Sequence, residues 1–344
     1  MKTASKILKT IGKWGGIAFS VFLVGLTVTV VVLERRTYDV PMPAITASQD
    51  PAVIARGRYL AYGPAHCLDC HGDMSRKADA LAGRDVPLSG GLAFELPVGT
   101  MRTANITPDP ETGIGAVSDG QLARALRYGV GRHGRKLVPF MPFANLSDED
   151  LTAVISFLRA QPPVKNAVVS QEPNLLGHVV LALVIKPEGP TGPIAAKVTP
   201  APTAEYGKYL AHSVANCAGC HTKRDMATGA YVGPMFAGGL EFESKLDPKV
   251  KFVTPNLTPD PVTGRITNWN EETFVARFHT GKGAEGTEMP WPSFARMTDN
   301  DLTAIYRYLR TLAPVVNDTG PSVSGPAPTV TAAGTALPTT NLAQ

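Results

Sequence analysis

Four cysteines stand in two pairs at one spacing, and a histidine follows each pair directly: Cys67-Leu68-Asp69-Cys70-His71 and Cys217-Ala218-Gly219-Cys220-His221. Two thiols separated by two residues can each form a thioether to one vinyl group of a haem. The next residue, histidine, is then held under the iron as an axial ligand. With 4 Cys and 7 His in 344 residues, a chance match is rare, so two matches are strong evidence. Rival chemistries use these residues less well. A zinc site of two cysteines and two histidines, or of four cysteines, has no use for a histidine directly after each pair, nor for 150 residues between the pairs. A thioredoxin-like dithiol explains one pair, but not two that each carry a trailing histidine. Disulfides suit a small secreted chain, and this chain is not small.

The two motifs belong to a longer repeat. Gly57-Arg58-Tyr59-Leu60-Ala61 matches Gly207-Lys208-Tyr209-Leu210-Ala211, and Asn105-Ile106-Thr107-Pro108-Asp109-Pro110 matches Asn256-Leu257-Thr258-Pro259-Asp260-Pro261. Met141-Pro142 matches Met289-Pro290, and Asp148, Asp150 and Leu151 match Asp299, Asp301 and Leu302. The offsets drift only between 148 and 151 residues and the order is kept, so two homologous domains are expected rather than a solenoid.

Helices must position these groups. Asp50-Pro51 reads as an N-cap followed by proline at the first helical position. Ser118 and Gln121 form a capping-box pattern ahead of Leu122, Ala125 and Leu126. Ser147 starts the last helix of the first unit, with Asp148, Glu149 and Asp150 at the positive end of the dipole and Leu151, Val154, Ile155 and Leu158 on one stripe. Thr298 starts its counterpart, with Leu302, Ile305, Tyr306 and Leu309, and Pro163 and Pro314 close the two helices. Between the units, the apolar run Leu175 to Ile185 is too short to span a bilayer and reads as a linker helix packed on one of the domains, with contact with the membrane surface as the alternative. The Asn-x-Thr-Pro-Asp-Pro blocks have turn chemistry and read as rigid loops over a haem edge.

Trp14 to Leu33 carries no charge, and as a helix its 20 residues extend ~30 Å, the thickness of the hydrocarbon core. A cleaved signal has a shorter apolar region and a small-x-small site, whereas Glu34-Arg35-Arg36 follows this run directly, so an uncleaved anchor is expected. Lys2, Lys6, Lys9 and Lys13 favour a cytoplasmic amino terminus, with the body on the periplasmic side of a bacterial inner membrane. Lys+Arg number 33 against 29 Asp+Glu, and those four lysines account for the whole excess, which excludes a basic surface for nucleic acid. Hydrophobic residues at 44% and charged residues at 18% exclude both a disordered chain and a multi-span membrane protein.

On the two C-x-x-C-H sites, the two Asn-x-Thr-Pro-Asp-Pro blocks and the two Met-Pro dipeptides, the chain resembles the c-type cytochromes. It is similar to the bacterial cytochrome c subunits of membrane-bound alcohol and aldose dehydrogenases, and to related dihaem cytochromes. The resemblance covers about Asp50 to Pro314. Those subunits usually carry three haem motifs, whereas this chain has two, so the resemblance names no particular dehydrogenase as partner. It implies a mainly α fold: two tandem cytochrome c-like helical domains behind an N-terminal transmembrane helix. The boundaries follow as anchor 1–36, linker 37–49, first domain 50–165, linker with helix 166–202, second domain 203–316 and disordered tail 317–344.

The resemblance implies two covalently attached haem c groups, held by Cys67, Cys70 and His71 and by Cys217, Cys220 and His221. It places the axial pairs as His71 with Met141 and His221 with Met289, and repeat equivalence supports both methionines over Met101, Met235 and Met297, and over His133, His178 and His279. His71 and His221 are expected to donate their second ring N–H to a backbone carbonyl, with Pro87 and Pro234 as candidates beside their Gly-Gly turns. Trp269, Trp291, Arg132 and Arg135 read as packing or surface residues rather than haem-propionate partners. His/Met ligation closes both axial positions and favours Fe(II), so the implied role is electron transfer between a dehydrogenase or quinol-oxidising donor and an oxidase or soluble-cytochrome acceptor, without catalysis in this chain. The alternative is a dihaem enzyme of the cytochrome c peroxidase or thiosulfate dehydrogenase type.

Overall fold

The computed structural model describes residues 2–169, 171–225, 229–244, 247–281, 283 and 286–325, with side chains from residue 10 onward. Helix α1 (Lys2–Glu34) leads, followed by α2 (Pro51–Tyr62), α3 (Cys67–His71), α4 (Lys77–Leu81), α5 (Asp119–Tyr128) and α6 (Asp148–Ala160). Helix α7 (Leu175–Leu183) then precedes α8 (Ala204–Tyr209), α9 (Cys217–Cys220), α10 (Glu271–His279), α11 (Trp291–Phe294) and α12 (Asp299–Thr311). The capping residues behave as their types dictate. Asp50 accepts from the Ala52 N–H at 2.8 Å, Ser118 and Gln121 complete both bonds of the capping box, and Ser147 and Thr298 accept from the N–H groups of Asp150 and Asp301.

Two small antiparallel sheets, which the sequence pattern does not announce, accompany the helices. Strands β1 (Ala93–Leu96), β2 (Gly99–Arg102) and β3 (Glu172–Pro173) form one, and β4 (Glu241–Glu243), β5 (Lys251–Val253) and β6 (Val323–Ser324) form the other, each in sequence order. Strands of two to four residues are shorter than any alternation a sequence can display. β6 corrects the expected tail. Residues 317–325 are built into the fold, because backbone pairing of Phe252 with Val323 needs no apolar run and Asn317 bonds back to the Ala237 carbonyl at 2.7 Å. Residues 326–344 of that expected tail lie outside the described residues.

The same packing occurs twice. In the first half α2 crosses α6, and in the second α8 crosses α12. At each crossing a glycine of the Gly-x-Tyr-Leu-Ala repeat touches the facing backbone: a methyl on Gly57 would overlap the Ala153 carbonyl, and one on Gly207 the Ala304 carbonyl. The buried apolar side chains of both halves, from Leu60 and Leu151 to Leu210 and Leu302, form one contiguous core.

A polar joint crosses that core with repeat-equivalent partners. Tyr59 donates its hydroxyl to Asp301 at 2.6 Å, and Tyr209 donates to Asp150 at 2.8 Å. The N–H groups of Thr298 and Ser147 donate to the same two phenol oxygens, each at 3.2 Å. Residue i of one half thus meets j of the other and j meets i, the pattern of an isologous twofold contact inside one chain. Burial, helped by the facing carboxylates, pushes both phenols up and keeps them as donors. Arg56 closes the joint with two bonds to Asp150, at 2.8 and 3.1 Å.

Helix α1 contains the stretch Thr10–Glu34, which includes an 18-residue window of mean hydropathy 2.5, only 6% of it buried, and is long and apolar enough to cross a membrane; a signal sequence shares that character. Its carboxyl end is tied to the body. Tyr38 N–H donates to the Gly134 carbonyl at 2.8 Å, and the Ala47 N–H reaches Asp119 Oδ2 at 2.8 Å, so residues 37–49 run along the first half. α7 packs on α1 and on the β1–β2 hairpin, where Asn174 donates to the Pro97 carbonyl at 2.9 Å.

Candidate haem-attachment sites

Each cysteine helix follows one residue in the left-handed region, His66 (φ 39°) and Asn216 (φ 52°). Asn and His are among the few side chains that tolerate this conformation, and it turns the chain sharply from the preceding helix into the motif. Cys67, Cys70 and His71 then stand at i, i+3 and i+4, which places all three on one helix face. In the second half His221 lies just past the last turn of α9 but still donates its N–H to the Cys217 carbonyl at 2.9 Å. None of the four cysteines is in a disulfide. Burial, reinforced by the neighbouring cysteine of the pair, pushes the Cys67 and Cys217 thiols up to about 12, the reverse of the low-pKa thiolate a thioredoxin-like dithiol depends on.

The two histidine rings are oriented alike. His71 Nδ1 lies 2.7 Å from the Ala104 carbonyl and His221 Nδ1 lies 3.1 Å from the Pro255 carbonyl. A carbonyl only accepts, so Nδ1 carries the proton and Nε2 keeps its lone pair for a metal. Burial lowers the pKa of both rings, against a smaller opposing pull from those carbonyls, and so favours the neutral form that coordinates iron.

These partners correct the expectation for Pro87 and Pro234. The Pro87 carbonyl accepts from the Asp73 N–H at 2.9 Å, across 14 residues, and the Pro234 carbonyl from the Ala237 N–H at 3.2 Å in a local turn, so both are engaged elsewhere. The Gly-Gly turns serve the histidines from the other side. The N–H groups of Gly90 and Gly238 donate to the His71 and His221 carbonyls, both at 2.8 Å. Both glycines have positive φ, and a side chain on Gly90 would overlap the Ala104 carbonyl itself.

Ala104 and Pro255 are the residues directly before the two Asn-x-Thr-Pro-Asp-Pro blocks, which gives the blocks a positioning role. Asn105 and Asn256 each donate Nδ2 to a carbonyl beyond the last helix, Val164 and Val315, both at 2.8 Å. Their Oδ1 atoms accept from the N–H of Thr107 at 3.0 Å and of Thr258 at 2.9 Å. Asp109 and Asp260 close each block by accepting from the N–H of Thr112 and Thr263, both at 2.7 Å. The buried asparagine directly follows the residue whose carbonyl orients the histidine ring, so one short stretch of backbone links the two.

The block also carries an acid dependence. Hydrogen bonds from the Thr112 and Thr263 side chains, then from the same residues' N–H groups, hold the Asp109 and Asp260 carboxyls below the ordinary carboxylate value. A carboxyl depressed in the folded state contributes stability that is full above its unfolded value, about pH 4, and is lost as pH falls through the folded value. Asp260→Asn is therefore expected to be less stable at neutral pH and to show a shallower loss of stability from about pH 5 downward, read from thermal midpoints across pH. Parallel acid profiles for the two proteins would contradict the assignment.

Met141 and Met289 lie in the loops that lead into the last helix of each half, and both pack partly buried against the core. Met101 and Met297 are instead core residues, 4% and 2% exposed. Met235 is at the surface, in contact with the Thr222 hydroxyl. The other five histidines have partners of their own: His66 packs edge-on against Phe294, His133 bonds to Arg132, His178 to Glu34, His212 to Tyr308 and His279 to Asp299. Trp269 packs on Phe274, and Trp291 lies under the Arg277 guanidinium at 3.9 Å. Arg132 and Arg135 are exposed.

Each half therefore presents two thiols and an imidazole on one face of a helix turn, a carbonyl that fixes the ring, and a methionine on the loop ahead of the closing helix. That donor set fits a covalently attached haem. The comparison with known proteins agrees. Residues 204–313 match the cytochrome c family. The chain is 31% identical over 294 residues to the cytochrome c subunit of alcohol dehydrogenase (quinone) from Gluconacetobacter polyoxogenes, an alignment covering 79% of this chain and 58% of that protein. It is 28% identical over 283 residues to the gluconate 2-dehydrogenase cytochrome c subunit of Pantoea cypripedii, covering 76% and 60%. It is 27% identical over 256 residues to a diheme cytochrome c-type protein of Cereibacter sphaeroides, covering 71% and 81%. The chain thus spans under two thirds of the length of the dehydrogenase subunits it matches. The cytochrome c family implies covalently bound haem c, and this chain carries a cytochrome c domain and is a homologue of the cytochrome c subunits of alcohol, gluconate and fructose dehydrogenases.

Proposed function

We propose that the chain is a membrane-anchored dihaem cytochrome c that carries electrons from a dehydrogenase or quinol-oxidising donor to an oxidase or soluble-cytochrome acceptor, as the electron-transfer subunit of a dehydrogenase complex. One observation carries this reading. The two cysteine–histidine faces are built alike down to the Nδ1 bond from each ring to the carbonyl ahead of the same six-residue block. Cys67 and Cys70 would hold one haem by thioethers and Cys217 and Cys220 the other, with His71 and Met141, and His221 and Met289, as axial ligands. When bound, each haem would supply a reversible one-electron oxidation and reduction, with the histidine and methionine of its half as the residues that hold the iron. The protein fixes the imidazoles through Ala104 and Pro255 and holds the halves in one orientation through the Tyr–Asp joint. Substrate oxidation belongs to another polypeptide.

The anchor supports a fixed location at the bilayer. Glu34, Thr37 and Tyr38 bond to His178, Arg135 and Gly134, and these ties between the end of α1 and the body support reading α1 as a retained anchor. We place the body on the periplasmic face of a bacterial inner membrane, on the positive-inside bias of the four amino-terminal lysines. Denatured protein is expected to retain the mass of two haems and to give a c-type pyridine haemochrome spectrum. One haem, or none, would end the dihaem reading.

A further inference from the structure

Helix α7 is uncharged and apolar, and the protein does not bury it. Leu175, Leu176, Leu183 and Val184 are 83%, 54%, 49% and 45% exposed. A continuous apolar surface of this kind marks an interaction site. The helix is nevertheless held firmly. Asn174 caps it through the Gly177 N–H at 2.9 Å and grips the Pro97 carbonyl, and Gly177 sits so close to the Val98 carbonyl that a methyl there would overlap it. On the other side α7 packs on α1, where Val30 is the buried residue of an otherwise open apolar helix. His178, the single titratable side chain on α7, is paired with Glu34 at 2.9 Å.

We infer that the outward face of α7 is seated in the acyl chains of the bilayer beside α1, as a second membrane contact of the folded body. This rests on the reading of α1 as a retained anchor. The occupant follows from continuity: α7 packs directly on α1, and both helices carry exposed apolar side chains, Leu175, Leu176 and Leu183 on one and Leu26, Val31 and Val32 on the other, a surface whose partner is then hydrocarbon. Nine residues extend only ~14 Å as a helix, so α7 enters one leaflet and does not cross. Arg35 and Arg36 after α1 and Lys186 after α7 stand where the apolar surface ends, as cations at the headgroup level do. The consequence is orientation. A body held by α1 and α7 together cannot swing freely on a single tether, and its haem sites keep a set attitude to the membrane plane.

The test uses full-length haem-loaded protein in phosphatidylcholine–phosphatidylglycerol vesicles that contain a phosphatidylcholine with a diazirine in mid-acyl chain. After illumination, peptide mass spectrometry is expected to find lipid adducts on α1 and also on the α7 peptide. The double variant Leu176→Glu/Leu183→Glu is expected to lower the α7 adducts at least about fivefold while α1 labelling and haem content are retained. Adducts on α1 with none on α7 would overturn the inference and leave anchoring intact, as when a protein partner covers this face. Adducts on neither would remove the anchor reading itself. Undiminished α7 labelling in the double variant would also count against a seated face, and the unmutated protein decides the question even if the variant fails to accumulate.

Discussion

Met289→Ala is expected to open one iron and only one. The reduced variant should bind carbon monoxide at a single haem, the oxidised variant should lose half of the weak near-infrared band that reports thioether ligation, and that haem's potential should fall by on the order of a hundred millivolts within the ~0.8 V range that axial ligands span. The cause is loss of a soft neutral donor that prefers Fe(II) and the vacancy it leaves. Met141→Ala should do the same at the other site. The two effects should be independent, because His71 and His221 take their orienting bonds from different carbonyls, Ala104 and Pro255, in separate blocks. Unmutated protein that binds carbon monoxide readily at one haem and consumes peroxide would point instead to a dihaem enzyme.

Much of this site was legible in the chain. Residue type and spacing identify the cysteine pairs, and the helix starts at Asp50, Ser118, Ser147 and Thr298 are local chemistry that a sequence displays openly. The partner of each histidine was not legible. A backbone carbonyl belongs to every residue, so the choice between Pro87 and Ala104 turns on which segment the fold brings beneath the ring. The nearest available signal was the block itself, since Ala104 and Pro255 each stand one residue ahead of its asparagine. The joint between the halves was hidden for another reason. Tyr59 meets Asp301 across 242 residues, and no local pattern marks a tyrosine that will donate to a distant carboxylate. Likewise α7 is readable as a helix, but its seat on α1 depends on the Glu34–His178 bond across 144 residues.

The glycines of the Gly-x-Tyr-Leu-Ala repeat show how a recurring residue acquires its physical reason. Gly207→Ala places a methyl against the Ala304 carbonyl and the Ile305 nitrogen, backbone atoms that cannot rotate aside as a side chain can. Helices α8 and α12 must separate or tilt, and the cost is expected to be at least about 3 kcal/mol, at the upper end for overpacking because the obstruction is main chain. Gly57→Ala meets the Ala153 carbonyl in the same way between α2 and α6. Thermal midpoints should fall by roughly 5 °C for either variant, since the whole two-half body melts as one unit. Gly192→Ala, with open space around the new methyl, should stay within about 0.5 kcal/mol of the unmutated protein. Because the apolar core runs unbroken through both halves, each variant should still melt in one transition, with both haem sites lost together. A Gly207→Ala protein as stable as Gly192→Ala would show that the two helices can part without cost. A variant that melts in two steps would show that the Tyr–Asp joint and the shared core do not couple the halves.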